Sequence, residues 1–326
     1  MSNRPFLLTP AAKDYLWGGS RLNDDFNLGI DVAPFAEAWV CSTHPDAQSI
    51  ISTTGQSLGD ALKEHPEWLG THASSVANEE FPILIKLIDA KRELSVQVHP
   101  DDGYAAEYEN GSLGKTEMWY VLDAKPESTL VYGFNQEVGA DQVRRAISTG
   151  TIESLLNHVE VRKNDLFFIE SGTVHAIGAG CLIAEIQENS NLTYRLFDYG
   201  RVDKNGKTRE LHVDKALRVM NMKSSSIPRQ PMRVLKYKNG VASELLTRCK
   251  YFQVERVLLN TEVQRNLATF QTGSNSFHCL LCIDGCGVLF GRDVTLPFFK
   301  GDCIFVPAES IPLKLHGQAQ LLNVSC

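Results

Sequence analysis

One stretch of this chain occurs twice. Asn164-Asp-Leu-Phe-Phe-Ile-Glu-Ser-Gly-Thr-Val-His175 lines up with Gly301-Asp-Cys-Ile-Phe-Val-Pro-Ala-Glu-Ser-Ile-Pro312. Each copy follows a similar hairpin start, Tyr120-Val-Leu-Asp-Ala124 in one case and Leu281-Cys-Ile-Asp-Gly285 in the other. In both, an aspartate-led turn opens a four-residue apolar run that is too short for a helix. A doubled unit of short strands and Gly/Asp turns confines the chain to a repeated β architecture. The expected fold is mainly β: two jelly-roll barrels in one chain, with a few short helices. The first copy carries a helical insertion at roughly 136–160 that the second lacks. The second copy has Pro312 where the first has His175. Proline offers no ligand atom, so the second barrel is expected to be structural.

The first copy also holds the residues that can do chemistry. Gln97 and His99 lie two apart in Leu94-Ser-Val-Gln-Val-His99, so on a strand they leave the same face. Glu117 heads another strand-like run, Met118-Trp-Tyr-Val-Leu122, and His175 closes the repeat unit. An amide, two imidazoles and a carboxylate on adjacent strands could surround one small cation. His and carboxylate ligands suit zinc, and an active zinc site keeps a position open. A lone strand histidine is usually an ordinary core residue; the four at these spacings carry the inference together. Two other groups weigh less. His44-Pro45 reads as a turn cap. Cys279-x-x-Cys282-x-x-x-Cys286 resembles half a zinc site, but positions three apart on a strand face opposite ways.

Around these, residues 57–70 read as an amphipathic helix on Leu58, Leu62 and Trp68, with further short helices at 103–109, 141–147, 152–156 and 209–222. Lys204-Asn-Gly-Lys207 reads as a hairpin turn. The polar, proline-containing Asn221–Pro231 stretch is the linker candidate. It divides the chain into a catalytic part, 1–232, and a non-catalytic part, 233–326. A net charge of −7 over 326 residues argues against nucleic acid and anionic membranes as partners. No apolar run approaches the roughly 20 residues of a spanning helix, and no signal peptide is visible. The eight cysteines, several inside apolar runs, then read as reduced thiols of a cytoplasmic protein, monomeric or a small homo-oligomer.

The segment Asp165–Gly180 resembles the second motif of cupins, and Gln97-Val-His99 with Glu117 resembles the first, with glutamine replacing its first histidine. Trp17-Gly-Gly19, Glu37-Ala-Trp39, Gln97-Val-His-Pro-Asp-Asp102, Gly114-Lys-Thr-Glu117, Gly172-Thr-Val-His-Ala-Ile-Gly178, Glu185-Ile-Gln-Glu-Asn189 and Tyr194-Arg-Leu-Phe-Asp-Tyr199 narrow this further. Over most of 12–222 the chain resembles type I phosphomannose isomerases (mannose-6-phosphate isomerases) in their short bacterial form. The resemblance implies a bicupin with one zinc per chain, held by Gln97, His99, Glu117 and His175. It implies a sugar phosphate substrate, with Lys115 and Arg195 at the substrate pocket and Glu185 among the catalytic residues. The reaction would be interconversion of mannose 6-phosphate and fructose 6-phosphate through an enediolate. Two neutral imidazoles and one carboxylate leave zinc with a net charge of +1, able to stabilise that oxyanion. Glu185, a hydroxide on the metal or a desolvated Lys115 are the available bases, and Arg195 suits either the phosphate or the enediolate. The competing readings are a metal-dependent cupin oxygenase, which would want more histidines, and a non-catalytic sugar-binding or regulatory bicupin.

Overall fold

The period-two alternation becomes three β-sheets in the computed structural model, which describes residues 3–76, 80–202, 205–226, 228, 230, 233–263 and 266–326. Among these residues a six-stranded sheet runs Leu166–Ile169, Glu117–Ala124, Cys181–Glu188, Ile83–Ala90, Glu37–Cys41 and Ala11–Lys13. A five-stranded sheet runs Tyr194–Phe197, Val96–Val98, His175–Ile177, Thr129–Phe134 and Leu156–Glu160. A ten-stranded sheet is built mainly from the C-terminal part. Its long strands His278–Gly291 and Leu313–Ser325 lie side by side, and Phe6–Thr9 joins it on Cys303–Val306.

Alternation sets the layers. On the six-stranded sheet, Trp119, Val121, Ile88, Phe167 and Ile183 face Leu130, Val159 and Ile177 of the five-stranded sheet. The intervening residues Met118, Tyr120, Ile85, Leu87 and Ile186 face Leu281, Phe305, Leu322 and Val324 of the ten-stranded sheet. The six-stranded sheet is thus buried on both sides, which is why Ile83–Ala90 and Cys181–Glu188 are apolar almost throughout. The outer face of the five-stranded sheet, with Val96, Val98, Tyr194 and Leu196, is covered by the helices Ala140–Ser148 and Val213–Val219. The mainly β expectation holds. The strand order of each sheet is an open path, however, and not the closed barrels expected. The two layers around the first core are joined by side chains rather than by a continuous ladder of backbone hydrogen bonds.

The repeat is real in register. Leu166 pairs with Tyr120, and Cys303 pairs with Leu281 at the equivalent places. The expected helix over 57–70 is broken into Leu58–Glu64 and a 3-10 turn at Pro66–Trp68. Proline lacks the N–H that would continue the first helix. Val213–Val219 is shorter than expected, because Met220 is already extended. Residues 204, 227, 229, 231 and 232, which bear on the expected hairpin turn and linker, lie outside the described residues. No helix among the described residues is long and apolar enough to cross a membrane.

Candidate metal centre and active site

His99, Glu117 and His175 meet between the five- and six-stranded sheets, all essentially without solvent contact, and their ligand atoms lie within 4.8 Å of one another. Strand register brings them there. Val96 and Val98 turn outward, so Gln97 turns inward, opposite His175 on one neighbouring strand and Arg195 on the other. Each histidine has its Nδ1 against a backbone carbonyl, Leu192 for His99 and Thr173 for His175, both at 2.8 Å. A carbonyl only accepts, so both Nδ1 atoms carry the proton and both Nε2 atoms present lone pairs. These lone pairs face each other at 3.1 Å, with Glu117 Oε1 3.4 Å from His175 Nε2. Glu117 Oε2 is met by the Lys115 ammonium, and Oε1 has no hydrogen-bond donor among the described residues. Two facing acceptors beside a carboxylate oxygen that no donor meets suit a divalent cation. Burial pulls His99 well below its ordinary range and His175 down to about 4, so both are in the neutral form a metal needs. The Gln97 amide lies 3.4 Å from His175 Nε2, and turned over it would present its oxygen to the same centre.

Around the centre runs a chain of buried charges. Lys115 Nζ is 2.7 Å from Glu117 and 3.9 Å from Glu185. Glu185 accepts from Trp119 Nε1 at 2.8 Å and pairs with Lys86 at 3.1 Å. Lys86 reaches Glu37 at 3.8 Å, and Glu37 accepts from Trp39 Nε1 at 2.6 Å. Trp119, Glu185, Lys86 and Trp39 form one row across four neighbouring strands. Two ammoniums against three carboxylates leave this buried group at −1, so a divalent cation would bring it to +1. Burial alone would raise Glu185, but Lys115 and Lys86 hold it down to about 2. Without a cation, Glu117 is pushed up to about 7, by burial first and then by the charge of Glu185.

The centre opens into a cavity of about 230 Å³ lined by Gln97, Lys115, Glu185, Arg195, Arg209 and Lys86, among others. Arg195 donates to Ser95 Oγ at 3.3 Å and to the Glu210 carbonyl at 2.9 Å. Asp198 binds both Arg201 and Arg209. The cavity lining carries the guanidiniums of Arg195 and Arg209, and burial, then repulsion by Arg209, lowers Arg195. Period-two alternation along Leu192–Phe197 puts Tyr194 and Leu196 on one face and Arg195 and Phe197 on the other. The structure agrees for the first three, but the register shifts between Arg195 and Phe197, and Phe197 packs with the outer core instead.

Lys86 and Arg209 escaped the sequence reading. A lysine inside the apolar run Phe81-Pro-Ile-Leu-Ile-Lys-Leu-Ile88 carried the missing signal, since a charge on a buried strand must be paired. Arg209 lies at a loop position with nothing local to mark it. The cysteine decoy behaves as expected. Cys279 packs in the core between two sheets, 3.5 Å from Cys41 Sγ, while Cys282 packs on the opposite face. His44 caps its turn by accepting from the Asp46 amide at 3.2 Å.

Residues 6–138 match the model for the catalytic domain of type I phosphomannose isomerase, and residues 242–326 that for the cupin domain of mannose-6-phosphate isomerase. The chain is 34% identical to mannose-6-phosphate isomerase ManA of Bacillus subtilis over 325 residues, 99% of each chain. The chain belongs to the type I phosphomannose isomerase family. Another relative, mannose-6-phosphate isomerase of Streptococcus mutans, is 38% identical over 221 residues, 67% of this chain and 68% of that one. Among family structures, mannose 6-phosphate isomerase from Bacillus subtilis superposes with a TM-score of 0.88 at 33% identity, over 99% of both chains. A mannose 6-phosphate isomerase bound with zinc and yttrium shares the fold at a TM-score of 0.75 and 18% identity, over 98% of both chains. The catalytic-domain match includes Gln97, His99, Lys115 and Glu117; His175, Glu185 and Arg195 lie between the two matched stretches.

Proposed function

We propose that this chain interconverts mannose 6-phosphate and fructose 6-phosphate, using one zinc ion held by His99, Glu117 and His175, with the Gln97 amide as the fourth ligand. The observation that carries the reading is the pair of imidazole lone pairs facing Glu117, set beside Lys115 and Glu185 at the floor of a cationic cavity. Bound zinc supplies Lewis acidity toward the sugar's C1 and C2 oxygens. The protein does the rest. Glu185, ionised in the resting arrangement, takes the C2 proton and returns it to C1, while Lys115 gives a proton to the C1 oxygen and takes back the one that the C2 hydroxyl releases. A carboxylate held near 2 is a weak base. Sugar oxygens entering between Glu185 and its two ammoniums weaken that hold and raise its proton affinity when it is needed. Arg195 and Arg209 bind the phosphate at the cavity mouth. Of the readings open for Arg195, the phosphate is favoured because a second guanidinium, that of Arg209, lines the same cavity beside it.

The division into a catalytic part, 1–232, and a second cupin part, 233–326, belongs to the same proposal. In the second copy His278 takes the register place of Glu117 and Pro312 the sequence place of His175, which leaves no metal set there. The test is a coupled assay with mannose 6-phosphate before chelation, after it, and after zinc is restored. Turnover should vanish and return. Zinc-loaded protein that binds the sugar without converting it would favour the binding-module reading instead.

A further inference from the structure

The loop bearing Lys115 and Glu117 is held by three consecutive backbone amides. Gly114 N–H donates to Asp102 Oδ1 at 3.1 Å, Lys115 N–H to the Pro100 carbonyl at 3.0 Å, and Thr116 N–H to Glu188 Oε1 at 2.6 Å. Two of the three acceptors are carboxyl groups, and they also hydrogen-bond each other. Two carboxyl groups meet in this way only when one keeps its proton. Asp102 is the ionised member: burial opposes its charge, but hydrogen bonds, first from Tyr251 and then from Lys250, hold it below its ordinary value. Glu188 is the protonated member, pushed up to about 8 by burial and then by the charge of Asp102.

The side-chain donors to Asp102 Oδ2 come from the C-terminal part of the chain. Tyr251 Oη donates to Asp102 Oδ2 at 2.7 Å and Lys250 Nζ at 3.0 Å. Both stand in the turn between Val241–Arg248 and Gln253–Asn260, which the Cys249 N–H closes onto the Phe252 carbonyl at 2.9 Å. We propose that Tyr251 is a positioning residue for the active site: through Asp102 and Glu188 it fixes the Gly114–Glu117 loop, so the C-terminal sheet sets where Lys115 and Glu117 stand. The proposal rests on the isomerase reading wherever turnover is its readout.

The ionisable groups facing Glu188 are Asp102, Tyr251, Lys250 and Cys249. Raising the pH through the value of Glu188 sets a second negative charge beside Asp102 and removes their shared hydrogen bond, and the loop loosens. Glutamine at 188 keeps the geometry, since its oxygen accepts from Thr116 N–H and its NH2 donates to Asp102, and it cannot ionise.

The experiment uses full-length, zinc-loaded protein as wild type, Glu188→Gln and Tyr251→Phe. It measures kcat and KM for mannose 6-phosphate and the amide-exchange protection of residues 113–117 without substrate, from about pH 6 to about pH 9.5. In wild type, kcat and loop protection should fall together as the pH passes about 8. Glu188→Gln should remove that fall in both readouts. Tyr251→Phe should lower kcat on the order of tenfold at neutral pH, leave KM within about twofold, and reduce loop protection. A Tyr251→Phe protein with wild-type kcat and loop protection overturns the proposal, even if it melts at a lower temperature. So does a Glu188→Gln protein that keeps the wild-type alkaline fall, and this variant decides alone if Tyr251→Phe does not fold. Wild-type protein whose loop responds as described but which shows no turnover overturns the isomerase reading and leaves the loop assignment standing.

Discussion

Lys86 shows what a single buried charge does here. Its ammonium lies between Glu37 and Glu185 and over the Trp39 ring at 5.0 Å. Lys86→Met fills the space but removes the cation between Glu37 and Glu185 and leaves only Lys115 near Glu185, which should cost about 3–5 kcal/mol of stability. The pH dependence follows with a definite sign. Glu185 sits at about 2 when folded, against roughly 4.3 in an unfolded chain, so its contribution is present above the unfolded value and is lost as the pH falls toward 2. Removing Lys86 raises the folded value, so the acid-unfolding midpoint followed by circular dichroism should move to higher pH. An unchanged midpoint would mean that Lys86 does not hold Glu185. Arg195 makes a different prediction. With the phosphate as its partner, Arg195→Ala should raise KM by about tenfold or more with a smaller change in kcat, and zinc content should stay the same. Arg195→Lys should recover only part of the affinity, because an ammonium lacks the two-pronged donor geometry. A loss confined to kcat would move Arg195 to the enediolate.

At the scale of elements, the strands were legible because alternation reports directly on a half-buried surface. Glu117–Ala124 and Cys181–Glu188 fall where their apolar runs lie. Helix ends were less so, since Pro66 and the extended backbone at Met220 cut segments that periodicity alone would continue. The Gly114–Glu117 loop has a strict local requirement. A Cβ on Gly114 would come within 2.5 Å of the Asp101 carbonyl carbon and the Asp102 nitrogen, so the loop cannot keep its place with any side chain there. Gly114→Ala should cost about 1–3 kcal/mol, read as a lower melting temperature, and should weaken zinc retention against a competing chelator, because Glu117 is displaced with the loop. Wild-type zinc retention would show that the loop adjusts without moving Glu117.

For the whole molecule, the middle sheet has no face free for water. Met118, Tyr120 and Ile186 pack on Leu322 and Val324, and Phe6–Thr9 depends on Cys303–Val306 for its pairing. Ending the chain at residue 232 would expose that apolar face and unpair the N-terminal strand. The truncated protein should be insoluble or lack cooperative unfolding by calorimetry. A soluble fragment that melts cooperatively and binds zinc would show that the catalytic part folds alone.

The sequence by itself determined the class of fold, the repeat and the metal-ligand candidates. Each of these is a local pattern: period-two alternation decides which side chains share a face, and Gln97, His99, Glu117 and His175 each stand at a recognisable place on or beside a strand. Tertiary structure alone decided which faces meet. Lys86 finds Glu37 and Glu185 only because three strands pair in one register, and Arg209 enters the cavity from a loop. Tyr251 reaches Asp102 across 149 residues of chain. These contacts depend on long-range pairing and on how a buried charge is neutralised, and no short window of residues encodes either.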